Sequence, residues 1–575
     1  MIIPPGEKII ETKKCLLSGK DFIITDKDLE FYDKISPIFG EKKYSIPSPT
    51  LCPDERQKRR LSFRNERKLY KRKCDKTGAE IISMYAPGSP LTIYDQKVWW
   101  GDDWSPFDYR RQFDFWRWFF EQFSELIWQV PLPASLGKNL ENSDFTLHSA
   151  NLKNCYLVIS TMIAENLLYG YQWNGSKNCL DFYHANDSEY CYQVVDTHSS
   201  YNCQFCKDLM SCRDCQFCYD CKNCTHCLFC SNLRGREYCI NNKQLSPEKY
   251  QKEKARISLQ WHLSLLQKRF FEMVTHAPHE AIQGVKNENC IGDYLNECGD
   301  CFYCFNYSKW ERLRYTSTGR WGKDEYDCNY TALGSEWCYE CLSPFPAQNT
   351  AFSTYSWDCT DGLYLNNCHG SQHLFGCSSL KKANHCILNT PYSVQEYETQ
   401  CGKIIDHMRS TGEWWEFFLH ELSPFWYNET VANEYFPMTE SEVRAHGWNW
   451  HTEEEKIFEW SVYHPLPISQ YDERVVGFDT ATKNINECLA WTVQCEVTKK
   501  PFRIIKQELA FYIENGIPIP MKHPDQRHTE RMDLRNPRTL YERVCSECKK
   551  DIITTYAPER PEKVVCEECY RGMVY

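Results

Sequence analysis

The chain has 575 residues, 42% of them hydrophobic and 15% aromatic, more than one hydrophobic core usually serves, which predicts several domains. A formal net charge of −11 excludes wholesale coating of nucleic acid, so any basic surface must be local. The opening MIIPPGEKIIETKKC lacks an apolar run of signal-peptide length and no later segment reaches a membrane span, so the chain is expected to be soluble and cytoplasmic, with its 34 cysteines as thiols, metal ligands or packed side chains rather than disulfides.

Residues 1–98 read as a degenerate zinc-ribbon module. Its knuckles, Cys15-x-x-Ser18 and Cys52-x-x-Glu55, keep one ligand each, which points to a ribbon held by packing, with a two-ligand zinc site as the sharper alternative. The stretch RQKRRLSFRNERKLYKRK, from Arg56 to Lys73, has one acidic residue and interleaves Phe63 and Tyr70. Cations neutralise phosphates and aromatic rings stack on bases, so Arg56, Arg59, Arg60, Arg64, Arg67, Lys71 and Arg72 are candidate contacts for RNA or the ribosome. The competing reading is a solvated face paired with acidic residues of the same chain. In residues 99–141, FDYRRQFDFWRWFFEQFSELIWQ (Phe107 to Gln129) carries aromatics at helical spacing and predicts a cap over an open sheet end.

Residues 142–252 repeat. Counting in twelves from Cys155 lands on Leu167, Cys179, Cys191, Cys203, Cys215, Cys227 and Cys239, while Cys203, Cys212, Cys221, Cys230 and Cys239 are nine apart. Like residues at a fixed period predict the stacked coils of a β-solenoid, with cysteine as a small inward side chain, but the coil length stays open between 9, 12 and 18 residues. Metal binding by adjacent-coil sulfurs and disulfides are the other readings of this cluster. A helix and loop follow in 253–288, where His276-Ala-Pro-His279-Glu280 reads as a solvated loop. Residues 289–399 repeat the pattern: Cys191, Cys212, Cys221, Cys230 and Cys239 map by an offset of 147 onto Cys338, Cys359, Cys368, Cys377 and Cys386. A helical cap is expected in 400–450, with EWWEFFLHEL as a helix-like run and a short helix opened by the Thr439/Glu442 capping box and ended by Gly447. Residues 451–487 are polar without periodicity and read as a linker.

The final module, 488–575, matches the first: RNERKLYKRKC (Arg64 to Cys74) returns as RNPRTLYERVC (Arg535 to Cys545). Its CSEC and CEEC knuckles, Cys545, Cys548, Cys566 and Cys569, have the spacing of a zinc ribbon, with four thiolates for tetrahedral Zn²⁺. The preceding pair, Cys495-x-x-Thr498 and His523-x-x-Gln526, again keeps one ligand per knuckle, so Cys495 and His523 join Cys15 and Cys52 as weaker metal candidates.

The runs CPDERQKRR through RNERKLYKRKC, NCYLV, SPFWYNETVANEYFP, and HPDQRH with LRNPRTLYERVC and CEECY resemble a family of cysteine-rich proteins of the candidate phyla radiation of bacteria (Patescibacteria). The resemblance spans nearly the whole chain; it implies the architecture and carries no catalytic residues. The expected fold is mainly β: two tandem right-handed parallel β-solenoids with capping helices, flanked by zinc-ribbon-like modules. GxxxxGK[ST], GxGxxG, HExxH and GxSxG are all missing. The chain therefore reads as a non-enzymatic, zinc-stabilised scaffold or binding protein, with RNA or the ribosome at the basic stretch or a protein on a solenoid face as partner. A carbohydrate-active β-helix enzyme and a metal-storage or thiol-redox protein are the alternatives.

Overall fold

The computed structural model describes residues 2–171, 175–257, 259–452, 489, 491–515 and 517–575. Between residues 137 and 387 the chain winds through about 20 turns of parallel β-solenoid. The first run extends from strand Gly137–Glu141 to strand Lys243–Gln244 and the second from Gly284–Val285 to Thr390–Pro391, with helices Pro247–Lys254 and Leu259–His276 between them. The two runs touch: the Tyr171 and Tyr330 hydroxyls lie 2.7 Å apart and Tyr294 donates to Asp208 at 2.8 Å. No described helix is long and apolar enough to cross a membrane. The 451–487 linker lies, after its first two residues, outside the described residues.

The coil is twelve residues long. Leu168 pairs with Leu180, Leu180 with Tyr192 and Tyr192 with Gln204, all in parallel. Inside each coil runs a second period of three. Asn151, Asn154, Leu157, Ser160, Ile163, Asn166 and Tyr169 all have left-handed backbone, with φ from 50° to 59°. Each such residue turns the chain, the next side chain points into the coil and the third points out, so four three-residue sides close one coil. Left-handed backbone costs a side-chain-bearing residue about 1–2 kcal/mol. Asn and Asp tolerate it best, and stacking supplies compensation: Asn142 donates to Asn154 at 3.1 Å, Asn154 to Asn166 at 3.1 Å and Asn166 to Asn178 at 2.9 Å.

The competing spacings now have separate meanings. Twelve is the coil and three is its side. Nine is the diagonal across the interior: the Cys203 thiol faces the Cys212 carbonyl at 3.7 Å, Cys206 that of Cys215 at 3.6 Å and Cys212 that of Cys221 at 3.1 Å. Cys215, Cys218, Cys221, Cys224, Cys227 and Cys230 all point inward and are fully buried. Four inward side chains per coil leave a narrow tube, which suits a small side chain whose weak S–H donor finds a carbonyl.

None of the 33 described cysteines is in a disulfide. Burial pushes the Cys386 thiol up to about 11 and Cys359 up to about 12, so neither supplies reactive thiolate at neutral pH. A bulky thiol reagent applied to the native chain should therefore modify the C-terminal cysteines and leave the ladder untouched until denaturant is added. Rapid modification of more than ten native thiols would contradict the inward assignment.

The second run departs from strict twelves. Arg320 pairs with Ala332, twelve on, but Gly322 pairs with Ser335, thirteen on, with the added residue absorbed around Gly334 at φ 84°. A Cβ on Gly322 would lie 2.3 Å from the Trp310 ring, so this coil interior trades one very large side chain against a missing one. Beside it sits Glu325, fully buried, with no hydrogen bond of ordinary length to either oxygen. Burial pushes its carboxyl up to about 8, against which the Thr331 hydroxyl works only in part. The folded state thus holds the proton that the unfolded chain releases near 4.5. The contribution of this group to stability is therefore most favourable below that pH, falls as pH rises toward 8, and is lower by roughly 3 kcal/mol at pH 7. Glu325→Met should raise the denaturation midpoint at pH 8 and leave it nearly unchanged at pH 4.5. Equal effects at both pH values would show that burial of the charge is not the cause.

Several expected elements move. The helix expected over Phe107 to Gln129 is confined to Phe119–Gln129, because a short 3-10 turn, Pro106–Tyr109, and extended chain precede it. Its first N–H groups, of Phe119 and Phe120, are taken by the Glu413 carboxylate at 3.0 and 2.8 Å. EWWEFFLHEL is not an α-helix. The helix lies upstream at Val394–Thr411, opened by a Ser393/Glu396 capping box and ended at left-handed Gly412, so the expected boundary at 399 cuts through it. The first solenoid begins at Gly137, inside the expected cap. The short helix Glu440–Ala445 stands as expected, with its Thr439/Glu442 box. The expected solvated loop at 276–280 is corrected: His279 is 2% exposed, lies on strand Pro278–Glu280, and its Nδ1 lies 2.7 Å from the Tyr219 hydroxyl and 2.8 Å from that of Tyr556.

Candidate metal centre

Four small ribbons frame the solenoids, and their backbones follow one plan. A hairpin joins Ile9–Lys14 to Asp21–Thr25, another joins Tyr70–Lys73 to Glu80–Ser83, a third Val493–Gln494 to Pro501–Phe502, and a fourth Tyr541–Val544 to Asp551–Thr554. The turns start at Cys15, Cys74, Cys495 and Cys545. In each, the N–H four residues on, from Gly19, Gly78, Lys499 or Lys549, donates to the cysteine carbonyl at 2.8 to 3.1 Å, from left-handed backbone. The second half of each ribbon is a helix whose N-cap is Cys52, Asp95, His523 or Cys566. The residues 1–98 thus hold two ribbons.

Among the described residues, one group converges as metal ligands: Cys545, Cys548, Cys566 and Cys569, whose sulfurs all lie within 4.8 Å of one another. Cys548 and Cys566 are 3.7 Å apart. Cys545 is buried and the other three are partly or fully exposed, so the group sits at the rim of its module. Burial raises the Cys545 thiol, but N–H groups of Cys566, Cys548 and Glu547 outweigh it and hold the thiol at about 6. Hydrogen bonds to the Cys566 and Cys548 sulfurs push Cys569 up to about 12. Four thiols this close cannot all ionise without a cation between them, which is the arrangement a divalent metal completes.

The other ribbons keep the turn without the ligands. Ser18 replaces a thiol and lies 3.7 Å from the Cys52 sulfur. The Asp95 N–H donates to Cys74 at 3.3 Å, and the Thr498 N–H to Cys495 at 3.4 Å. His523 Nδ1 accepts from the Asp525 N–H at 3.1 Å, which commits that nitrogen to capping its own helix. Cys15, Cys52, Cys495 and His523 therefore sit at the expected ribbon positions, but among the described residues no third ligand joins either pair.

The basic stretch is not an exposed platform, which corrects the sequence-based expectation for most of its residues. Arg56, Arg60 and Arg64 are at most 2% exposed. Arg56 pairs with Asp327 at 2.8 Å, and Arg60 with Asp327 at 3.3 Å and Glu340 at 3.4 Å. Arg59 pairs with Glu340 and Glu416, Arg64 with Glu66, Arg67 with Asp525 and Arg72 with Asp75. Of the seven candidates, Lys71 is the one that remains exposed. The C-terminal helix Pro524–Asp533 makes the matching contact on the other solenoid: Arg527 and Arg531, again one helical turn apart, meet Asp181 at 2.8 and 2.9 Å. Asp181 and Asp327 are both fully buried and both left-handed at φ 56°. Each end module thus clasps a solenoid through two arginines on one aspartate, the N-terminal module on the second run and the C-terminal module on the first.

The C-terminal ribbon is anchored further by strand Lys563–Val565, which pairs in parallel with Pro278–Glu280, and by Tyr570, whose hydroxyl accepts from Asn232 at 2.7 Å and Arg234 at 3.2 Å. No family model, no curated protein and no solved structure matches the chain.

Proposed function

We propose that this chain is a zinc-stabilised, non-enzymatic scaffold or binding protein, in which the metal secures the last ribbon and the solenoids present regular outer faces to a partner. The convergence of four thiols at Cys545, Cys548, Cys566 and Cys569 carries the zinc reading: an all-sulfur set of four leaves no open position for substrate, which suits a structural ion. Burial of Arg56, Arg60 and Arg64 in ion pairs weakens the electrostatic argument for RNA or the ribosome at this end, so the favoured partner is a protein on a solenoid face. Metal analysis of chain purified from cells grown without added metal should find one zinc per chain. Iron in its place, or no metal, would sink the reading.

A further inference from the structure

A column of left-handed residues runs up the outside of the second solenoid, one per coil: Trp337, Asn349, Asp361, His373 and His385, with φ from 47° to 54°. Asn349 donates to Asp361 at 2.5 Å, Asp361 lies 3.7 Å from His373 Nδ1, and the His373 and His385 rings stack at 4.6 Å and 18°. The first solenoid carries a matching column, Tyr190, Asn202, Asp214, His226 and Tyr238, with Asn202 donating to Asp214 at 2.6 Å and His226 again 3.7 Å from its aspartate.

A helix borders each column, Pro247–Lys254 with Tyr250 at the first and Val394–Thr411 with Tyr397 and Glu398 at the second, and at the second the segment that follows helix Asp26–Ile35 also brings Ile38 and Phe39 across. At the second column they enclose a cavity of about 320 Å³, at the lower end of the roughly 300–1,000 Å³ of small-molecule sites. Its walls mix apolar side chains, among them Phe39, Trp337 and Leu363, with polar ones, among them His373, and its carboxylates are Asp361 and Glu398; no lysine or arginine lines it. The ring of Trp337 already attracts one cation, the Lys34 ammonium, 5.2 Å from its centroid. A metal does not fit here: among the described residues His373, His385, Asp361 and Glu398 do not converge as a ligand group.

We propose that this cavity binds a small organic cation, a primary amine or amidine on an aromatic or aliphatic body, whose charge is met by Asp361 and Glu398 while its body lies against Phe39 and Trp337. An anion would meet two carboxylates in a lining without lysine or arginine, and a fully apolar ligand would leave both carboxylates desolvated. The site is independent of the zinc ribbon, so the metal analysis above and the test here fail separately.

Calorimetric titration of the full chain with tyramine and with benzamidine should give saturable binding, whereas 4-hydroxyphenylacetate and benzamide, of like shape without the positive charge, should give none. Asp361→Asn and Glu398→Gln should each weaken amine binding about tenfold or more, the loss expected for one charge-assisted hydrogen bond. Asp214→Asn, at the matching rung of the first solenoid, should leave binding unchanged. Unaltered circular dichroism in each variant would show that the fold is intact. No saturation by either amine at millimolar concentration, equal binding of the anion, or full affinity in the Asp361→Asn/Glu398→Gln double variant would overturn the proposal.

Discussion

Asp327→Ala should be among the most destabilising single substitutions in the chain. It leaves Arg56 and Arg60 buried without their shared counter-ion, and removing one partner of a buried pair costs about 3–5 kcal/mol. Glu340 remains for Arg60, but among the described residues Arg56 has no second ion pair and keeps the Leu51 carbonyl at 2.7 Å and the Tyr315 ring at 5.3 Å. Asp181→Ala should act alike on the first solenoid, with Glu508 as the residual partner of Arg527. Chemical denaturation should show both as lowered midpoints. Adding Arg56→Met and Arg60→Met to Asp327→Ala should recover much of the loss, because desolvated charge, rather than a missing contact, is the cause. A loss below 1 kcal/mol for Asp327→Ala, or no recovery in the triple variant, would remove the clasp from this account.

The second large effect is expected at Cys566. A structural zinc site contributes binding energy directly to folding, on the order of 10 kcal/mol or more at neutral pH. Cys566 also caps helix Glu567–Val574 and directly follows the strand that pairs with Pro278–Glu280. Cys566→Ser should abolish stoichiometric zinc and open the last ~40 residues to protease and hydrogen exchange, while the solenoid strands stay protected. A strong chelator should do the same to the unaltered chain. Cys74→Ser, in the ribbon that keeps the turn but one ligand, should change neither metal content nor C-terminal protection. Retention of zinc and of C-terminal protease resistance by Cys566→Ser would show the site assignment to be wrong.

Much of the architecture was legible because a ladder repeats its own residue type. The inward cysteines announced both the solenoid and the spacing of twelve, and the spacing of nine misled only because the thiol of one coil faces a carbonyl nine residues on, as Cys203 does with Cys212. The metal group was legible for a similar reason: its four ligands fall within one short module. The arginines were not. High local charge reads as surface, and nothing near Arg56 in sequence marks Asp327, 271 residues away, as its partner. The acidic-neighbour reading was right in kind but placed the pairing on a solvated face. The column beneath the cavity was hidden as well, since Asp361 and His373 become neighbours only once the coil length is known, and Phe39 arrives from the far end of the chain. His279 was misread because a histidine between a proline and a glutamate looks like part of a solvated turn until Tyr219 and Tyr556 close over it.

The crossed clasps bear on how the molecule can be made. Arg56 and Arg60 leave the ribosome long before Asp327 does, and Asp181 waits still longer for Arg527 and Arg531. Neither half of the chain can satisfy its own buried charges, so a cut between the solenoids yields two fragments that each lack a counter-ion and should each be insoluble alone. Supplied together they hold every partner, and co-expression of 1–256 with 257–575 is the arrangement in which a divided chain would assemble. Synthesis must therefore pass Asp327 and Glu340 before the first module has its dock, and reach Arg531 before Asp181 is paired, so the chain closes on itself across long sequence separations rather than domain by domain.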